Sequence, residues 1–339
     1  MRPMRCAPSR LFLESRPSLH CFNVAMPSLN CLSALGLALL LSACAQTPPR
    51  PAEQAGDVQD PALAAVFGGC RDVKPQPETL AGARSFTYAR AAGRSLRVHV
   101  FEPAPQPGAA QPGLRPAVLF FFGGGWRAGR VESFERQARA FVQSGYVALL
   151  ADYRVKCRDG STPLDSLEDA VAAYAWLRDQ ALQLGVDRDR IVLAGGSAGG
   201  HLALATAQKA VLRGEQPAAL WLLNPAVDLV GPAPWYLKPV ALSISPSQLP
   251  VWDLPPTLIQ HGEADVVVPI ASVQAFCERA RARDRVCELQ RYPGLGHSFY
   301  HRRTPEPALQ GRSAYEDTLA RAFDFLAVHG LPGADQGWR

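Results

Sequence analysis

Lysine is almost absent from this sequence. Lys74, Lys156, Lys209 and Lys238 are the only four, so arginine carries nearly all the positive charge. The formal balance is +5, and +3 of it belongs to the first 43 residues, where Arg2, Arg5, Arg10 and Arg16 stand against Glu14. No basic run lies beyond them, which excludes a nucleic-acid footprint. The apolar stretch Leu32–Leu41 stops at ten residues, well short of the roughly 20 that a bilayer-spanning helix needs. No CxxC and no paired Cys/His spacing marks a zinc site. The segment GGGWRAG (123–129) carries its last Gly one place too late for a dinucleotide fingerprint. Neither Gly-rich segment has the Lys-Ser/Thr of a phosphate loop. No internal repeat divides the chain. With 47% hydrophobic and 19% charged residues, the composition is globular and excludes a disordered or fibrous chain.

The short apolar run fits the h-region of a secretion signal. It ends in Leu41-Ser42-Ala43-Cys44, which resembles the bacterial lipobox. That resemblance implies a signal peptide over 1–43 and a lipidated Cys44 as mature N-terminus. The protein would then sit on the cell envelope, and Ala45 in place of Asp favours the outer membrane. Ala43-Cys44-Ala45 also fits ordinary A-x-A cleavage, which would release the protein to the periplasm or beyond. Met26 is an alternative start, but it leaves no Arg or Lys ahead of the apolar run. Residues 44–66 are polar and Pro-rich and read as a flexible tether.

Cys70, Cys157, Cys277 and Cys287 remain in the body of the chain, an even number in a protein expected in an oxidising compartment. Cys277 falls in a helical pattern and Cys287 in the strand just after it. A Cys277–Cys287 link, leaving Cys70 to Cys157, stands against four free buried thiols.

From Ser85 onward, short β-like runs alternate with helical patterns. SFTYAR and LRVHVFEP read as an antiparallel pair. AVLFFF (117–122), YVALLADY (146–153), RIVLAGG (190–196), ALWLLNP (219–225), TLIQHG (257–262) and VCELQRY (286–292) are apolar enough to be strands covered on both faces. Between them FERQARAFVQSG, LEDAVAAYAWLRDQALQLG (from Leu167) and HLALATAQKAVLRG (from His201) set apolar residues at helical spacing, with Gly145 and Gly185 placed as C-caps. The last helix sets Tyr315, Leu319, Phe323 and Leu326 on one stripe. This is α/β organisation, a mainly parallel sheet with helices on both faces, in one domain over 67–335.

Gly195-Gly196-Ser197-Ala198-Gly199 matches G-x-S-x-G between a strand and a helix, the context in which the serine projects above the sheet as a nucleophile. A serine needs a base and an orienting acid. Asp265 follows the strand TLIQHG, and His297 lies in the Gly-rich loop after the last strand. Glu263 is a rival acid, and His301 and His329 are rival bases. His201 and His261 read as structural groups, and Asp152 and Arg154 as supporting groups or a solvated pair. The glycines of Phe122-Gly123-Gly124-Gly125-Trp126 allow N–H groups to turn inward, so Gly124, Gly125 and Ala198 are the candidate oxyanion donors.

Five segments in order, FFGGGW, DYR, GGSAGG, HGEADVVVP and GLGHSF, resemble the α/β-hydrolase superfamily over about residues 85–330. The likeness is to the esterase branch near hormone-sensitive lipase and bacterial acetyl- and feruloyl-esterase-like proteins. It implies a cofactor-independent Ser-His-Asp esterase whose partner is a small-molecule ester, with the membrane reached only through the N-terminal lipid. Phe122 departs from the pattern, because related esterases carry His there to brace the oxyanion loop. An amidase or peptidase on the same fold, of formamidase or prolyl-oligopeptidase type, is the competing reading, and a non-catalytic tethered binding protein is the third.

The Pro-rich insertion 226–255 is the expected cover of the site. Prolines forbid a long lid helix there, and Trp235, Tyr236, Leu237 and Trp252 are candidate walls of a small cleft suited to acetylated or feruloylated saccharides.

Overall fold

The computed structural model describes residues 70, 73–104, 113–232 and 238–334. The leader, Cys44, the tether and Trp235, Tyr236 and Leu237 lie outside them.

Eight strands form one sheet: β1 (Arg84–Ala91), β2 (Arg94–Phe101), β3 (Arg115–Phe121), β4 (Val147–Ala151), β5 (Val186–Gly196), β6 (Ala219–Leu223), β7 (Thr257–Gly262) and β8 (Cys287–Tyr292). Their order is β1-β2-β4-β3-β5-β6-β7-β8. β1, β2 and β4 pair antiparallel, and all pairs from β4 to β8 are parallel. Strands β4, β6 and β7 are buried at every position, which is why β4 and β6 read as unbroken apolar runs; β7 buries Gln260 and His261 as well.

Helices α1 (Glu135–Gln143), α2 (Pro163–Gln180), α3 (Ala198–Val211), α4 (Lys238–Ile244), α5 (Ile270–Arg281) and α6 (Ala314–Val328) fill the connections. α2 begins four residues before the predicted Leu167. A capping box between Thr162 and Asp165, with Pro163 in the first turn, fixes its start. Ser313 and Glu316 do the same for α6. The α6 stripe meets α1 and the sheet through Phe141, which packs on Phe323 at 4.6 Å and on Trp221 at 5.6 Å.

Two disulfides close the described structure, Cys277–Cys287 between α5 and β8 and Cys70–Cys157 across 87 residues. Among the described residues no helix is long and apolar enough to cross a membrane.

Candidate active site

Parallel register brings the C-terminal ends of β5, β6, β7 and β8 to one edge of the sheet, with Gly196 opposite Leu223 and Gly262 opposite Tyr292. That edge is where open α/β sheets place ligands. Ser197, Asn224, Asp265 and His297 all follow these ends.

Ser197 sits at φ 55° and ψ −120° as the residue entering α3, a region costly for any side chain of L configuration. The turn is tight enough that a Cβ on Gly199 would overlap the carbonyl oxygens of Phe121 and Phe122. Only glycine lets α3 come this close to β3. The same turn starts α3 at Ala198, three residues before the predicted His201.

His297 Nε2 lies 2.9 Å from Ser197 Oγ, and His297 Nδ1 lies 2.7 Å from Asp265 Oδ2. An ionised Asp265 can only accept, so Nδ1 carries the proton and Nε2 is free to accept from the serine hydroxyl. Asp265 Oδ1 accepts from the N–H groups of Val267 and Val268, and Oδ2 also accepts from Asn224 Nδ2 at 2.6 Å. Burial pushes the Asp265 carboxyl up, but the hydrogen bonds it accepts from His297, the Val268 N–H and Asn224 hold it below its ordinary value. It stays ionised with every lone pair in use.

The rival groups go elsewhere. Glu263 faces Arg291 at 3.7 Å. His329 ends α6 as its cap. His301 packs at a tilt against Phe134 and Tyr300. Asp152 and Arg154 are not each other's partners: Asp152 is held by Arg94 and Arg158, while Arg154 bonds Asp165 and Asp169.

Among the described residues the backbone N–H groups of Gly124, Gly125 and Ala198 meet no protein acceptor. Gly124 (φ 128°) and Gly125 (φ 61°) take conformations open to glycine, and a Cβ on Gly124 would overlap the Ala128 carbonyl. Where a bracing His is absent, Phe122 is held by Tyr153. Their rings stack at 4.0 Å, and the Tyr153 hydroxyl donates to the Phe122 carbonyl at 2.5 Å. At the far end of the loop, Trp126 Nε1 donates to His201 Nδ1 at 3.2 Å, and His201 Nε2 donates to the Ile244 carbonyl at 2.8 Å. Burial pushes His201 down to about 4, so it remains the neutral tautomer that can do both.

Residues 246–250 of the Pro-rich insertion are held through their carbonyls. Gln208 donates to Pro246, Leu249 and Pro250, and Arg279 to Pro246 and Leu249. Its described helix is the seven-residue α4. Trp252 is 52% exposed, outside the packed core.

Sequence reasoning missed Asn224 and the pairing of Tyr153 with Phe122. Asn224 has φ 45° and is fully buried, and no spacing rule flags an asparagine after a strand. His261, fully buried, donates from Nε2 to the Val268 carbonyl and sits 3.4 Å from Asp265 Oδ2, so it supports the loop that carries the acid. Among the described residues no group of three or more His, Cys, Asp or Glu is placed to hold a metal.

Esterase 2 of Thermogutta terrifontis is 33% identical and superposes with a TM-score of 0.67, across 75% of this chain and 97% of that one. The chain belongs to the α/β-hydrolase family of esterases. Within this α/β-hydrolase, residues 118–237 match the α/β hydrolase fold model, and residues 223–330 match the dienelactone hydrolase family. Esterase LipC of Mycobacterium tuberculosis is 32% identical over 217 residues, and Lipase 2 of a Moraxella species is 32% identical over 161. The α/β-hydrolase chain spans 53% of the mycobacterial protein and 36% of the Moraxella one.

Proposed function

We propose that this α/β-hydrolase is a serine carboxylic-ester hydrolase for short, acetyl-like acyl groups, tethered to the bacterial envelope through lipidated Cys44. One observation carries the activity: the unbroken line from Ser197 Oγ through His297 to Asp265, at 2.9 and 2.7 Å, on a strained strand–helix turn. In this reading His297 takes the Ser197 proton as the oxygen attacks the ester carbonyl. The new oxyanion is met by the N–H groups of Gly124, Gly125 and Ala198, and a helix N-terminus favours the charge. His297 then returns the proton to the departing alcohol. Water repeats the sequence on the acyl-enzyme, and no cofactor enters.

Small acyl size is supported by Thermogutta esterase 2, whose solved forms include propionate-bound and butyrate-bound ones. A nucleophilic serine is supported by its forms modified by paraoxon and sarin. The pinned insertion supports it too, because a lid tied by Gln208 and Arg279 does not swing open to admit a long chain. A saccharide bearing the ester remains the finer part of the proposal, resting on the aromatic residues of the insertion.

The test is a p-nitrophenyl ester series from C2 to C12, with matching anilides, on wild type and Ser197→Ala. Turnover should peak at C2–C4 and fall by more than about a hundredfold in the variant at unchanged melting temperature. A maximum at C8 or beyond, or faster anilide cleavage, overturns the substrate class. Cys44→Ala should move the protein from the membrane fraction to the soluble one, and its full retention on membrane overturns the anchor.

A further inference from the structure

A second feature lies one layer away from the nucleophile. Two adjoining cavities, of about 220 and 290 Å³, share Arg136 and Tyr315 as walls. Gln137 and His301 add to the first, and Arg303 and Arg139 to the second. Neither cavity is lined by the triad, yet both are tied to it. Phe134 lies 3.3 Å from where a Gly196 Cβ would stand, directly before Ser197, and its ring packs on His301 at 5.7 Å. His301 itself follows His297 by one short turn.

Three properties of this cleft are unaccounted for by packing. The first is unbalanced charge. Arg139 is paired with Glu135, and the one lining carboxylate, Glu132, is held by Arg130. Among the described residues Arg136 and Arg303 form no ion pair within 4 Å and no hydrogen bond, and the carboxylate that feels the charge of Arg303, Glu316, is already taken by the Ser313 N–H and hydroxyl. The second is a buried polar atom without a partner. Gln137 is 2% exposed, and its Oε1 has no hydrogen bond. Buried amide oxygens are rarely left so, because the lost hydration is not returned. The third is that Tyr315 and His301 add a hydroxyl and an imidazole to the same walls. Desolvation, with Arg136 beside it, holds His301 below its ordinary value.

We propose that this cleft is an anion subsite of the esterase: Arg136 and Arg303 bind a carboxylate carried by the ester substrate, and Gln137 Oε1 accepts from a hydroxyl beside it. The natural substrate class is then an ester bearing both an acid and a hydroxyl, such as an acylated hydroxy acid or sugar acid. The guanidinium fork suits a carboxylate in two-point contact. This inference rests on the hydrolase reading above and narrows its substrate.

The experiment compares three p-nitrophenyl or aryl esters on the full-length protein. They are a neutral butyrate, a glutarate half-ester with the acid on the acyl side, and a 3-carboxyphenyl butyrate with the acid on the alcohol side. Arg136→Gln, Arg303→Gln and the double variant should lower kcat/KM for at least one acidic ester by about tenfold or more, chiefly through KM. The neutral ester should be unchanged. Raising salt should weaken the acidic substrate alone in wild type and lose that effect in the double variant. Equal losses on all three esters, or none on either acidic one, overturn the subsite. If wild type and Ser197→Ala are equally inert on the neutral ester, the hydrolase reading fails instead, and the two failures are separate.

Discussion

Replacing Asp265 by asparagine should stop the proposed chemistry while leaving a folded protein, and the geometry shows why. Asp265 receives four donors: the N–H groups of Val267 and Val268 on Oδ1, and His297 Nδ1 and Asn224 Nδ2 on Oδ2. An amide in its place accepts on one side only. With its NH2 towards Val267 and Val268, two buried N–H groups lose their acceptor, a loss of about 2–6 kcal/mol at roughly 1–3 each. With its NH2 towards His297, only Asn224 loses an acceptor, because His297 can shift its proton to Nε2 and accept on Nδ1. That orientation costs about 1–3 kcal/mol and wins. Its consequence is a His297 that points an N–H at Ser197 and cannot take a proton from it. The turnover of p-nitrophenyl butyrate should fall about 10⁴-fold, with Tm lowered by several degrees. Adding Asn224→Asp gives the new NH2 an acceptor, so Tm should recover while kcat does not. A single variant within tenfold of wild type, or a kcat restored by the second change, refutes this account of the tautomer.

Two further outcomes follow from the surroundings of the site. Tyr153→Phe keeps the ring stacked on Phe122 but leaves a buried carbonyl unpaired. It should lose about 1–3 kcal/mol in urea melts and about tenfold in kcat, and an unchanged kcat would separate the loop's bracing from catalysis. His99 and His201 are both pushed down to about 4 by burial. The unfolded chain therefore binds a proton at each between pH 6.5 and 4 that the folded chain refuses. Stability should be complete above pH 6.5 and fall towards pH 4 by up to about 3 kcal/mol per histidine, and a flat profile from pH 7 to 4.5 would refute it.

What the sequence made legible follows from how each element is stabilised. The central strands were readable because a strand covered on both faces, like Leu220 to Leu223 or Val147 to Ala151, leaves no polar position to blur the run. The strand–helix turn at Ser197 was readable because it demands glycines at fixed offsets, and the meeting of Asp265 and His297 with it because each follows a strand that ends at the same edge. The four-residue error at the start of α2 arose because its first turn is stabilised by Thr162 and Asp165, polar groups that carry no apolar period. Asn224 was not readable at all. Its role depends on the register of β6 against β7, which brings residues 41 apart within 2.6 Å, and no local pattern encodes that distance.

Phe122 shows the same limit from the other side. Read alone, it is a missing histidine and a loop without its brace. In the fold, the work of holding the Gly123–Trp126 loop is divided between two ends. Tyr153, from the segment after β4, holds the Phe122 carbonyl and stacks on its ring. Beyond the glycines, His201 ties Trp126 to the Ile244 carbonyl of the insertion. Gly129 completes the arrangement, since a Cβ there would run into the Phe122 ring. A histidine at 122 would have to give up that stack or bury a second polar ring against Tyr153, which is itself fully buried. The aromatic brace and the imidazole brace are therefore alternative solutions to one constraint. What they share is the fixed direction of the Gly124 and Gly125 N–H groups, a property of the backbone that neither side chain reveals in sequence.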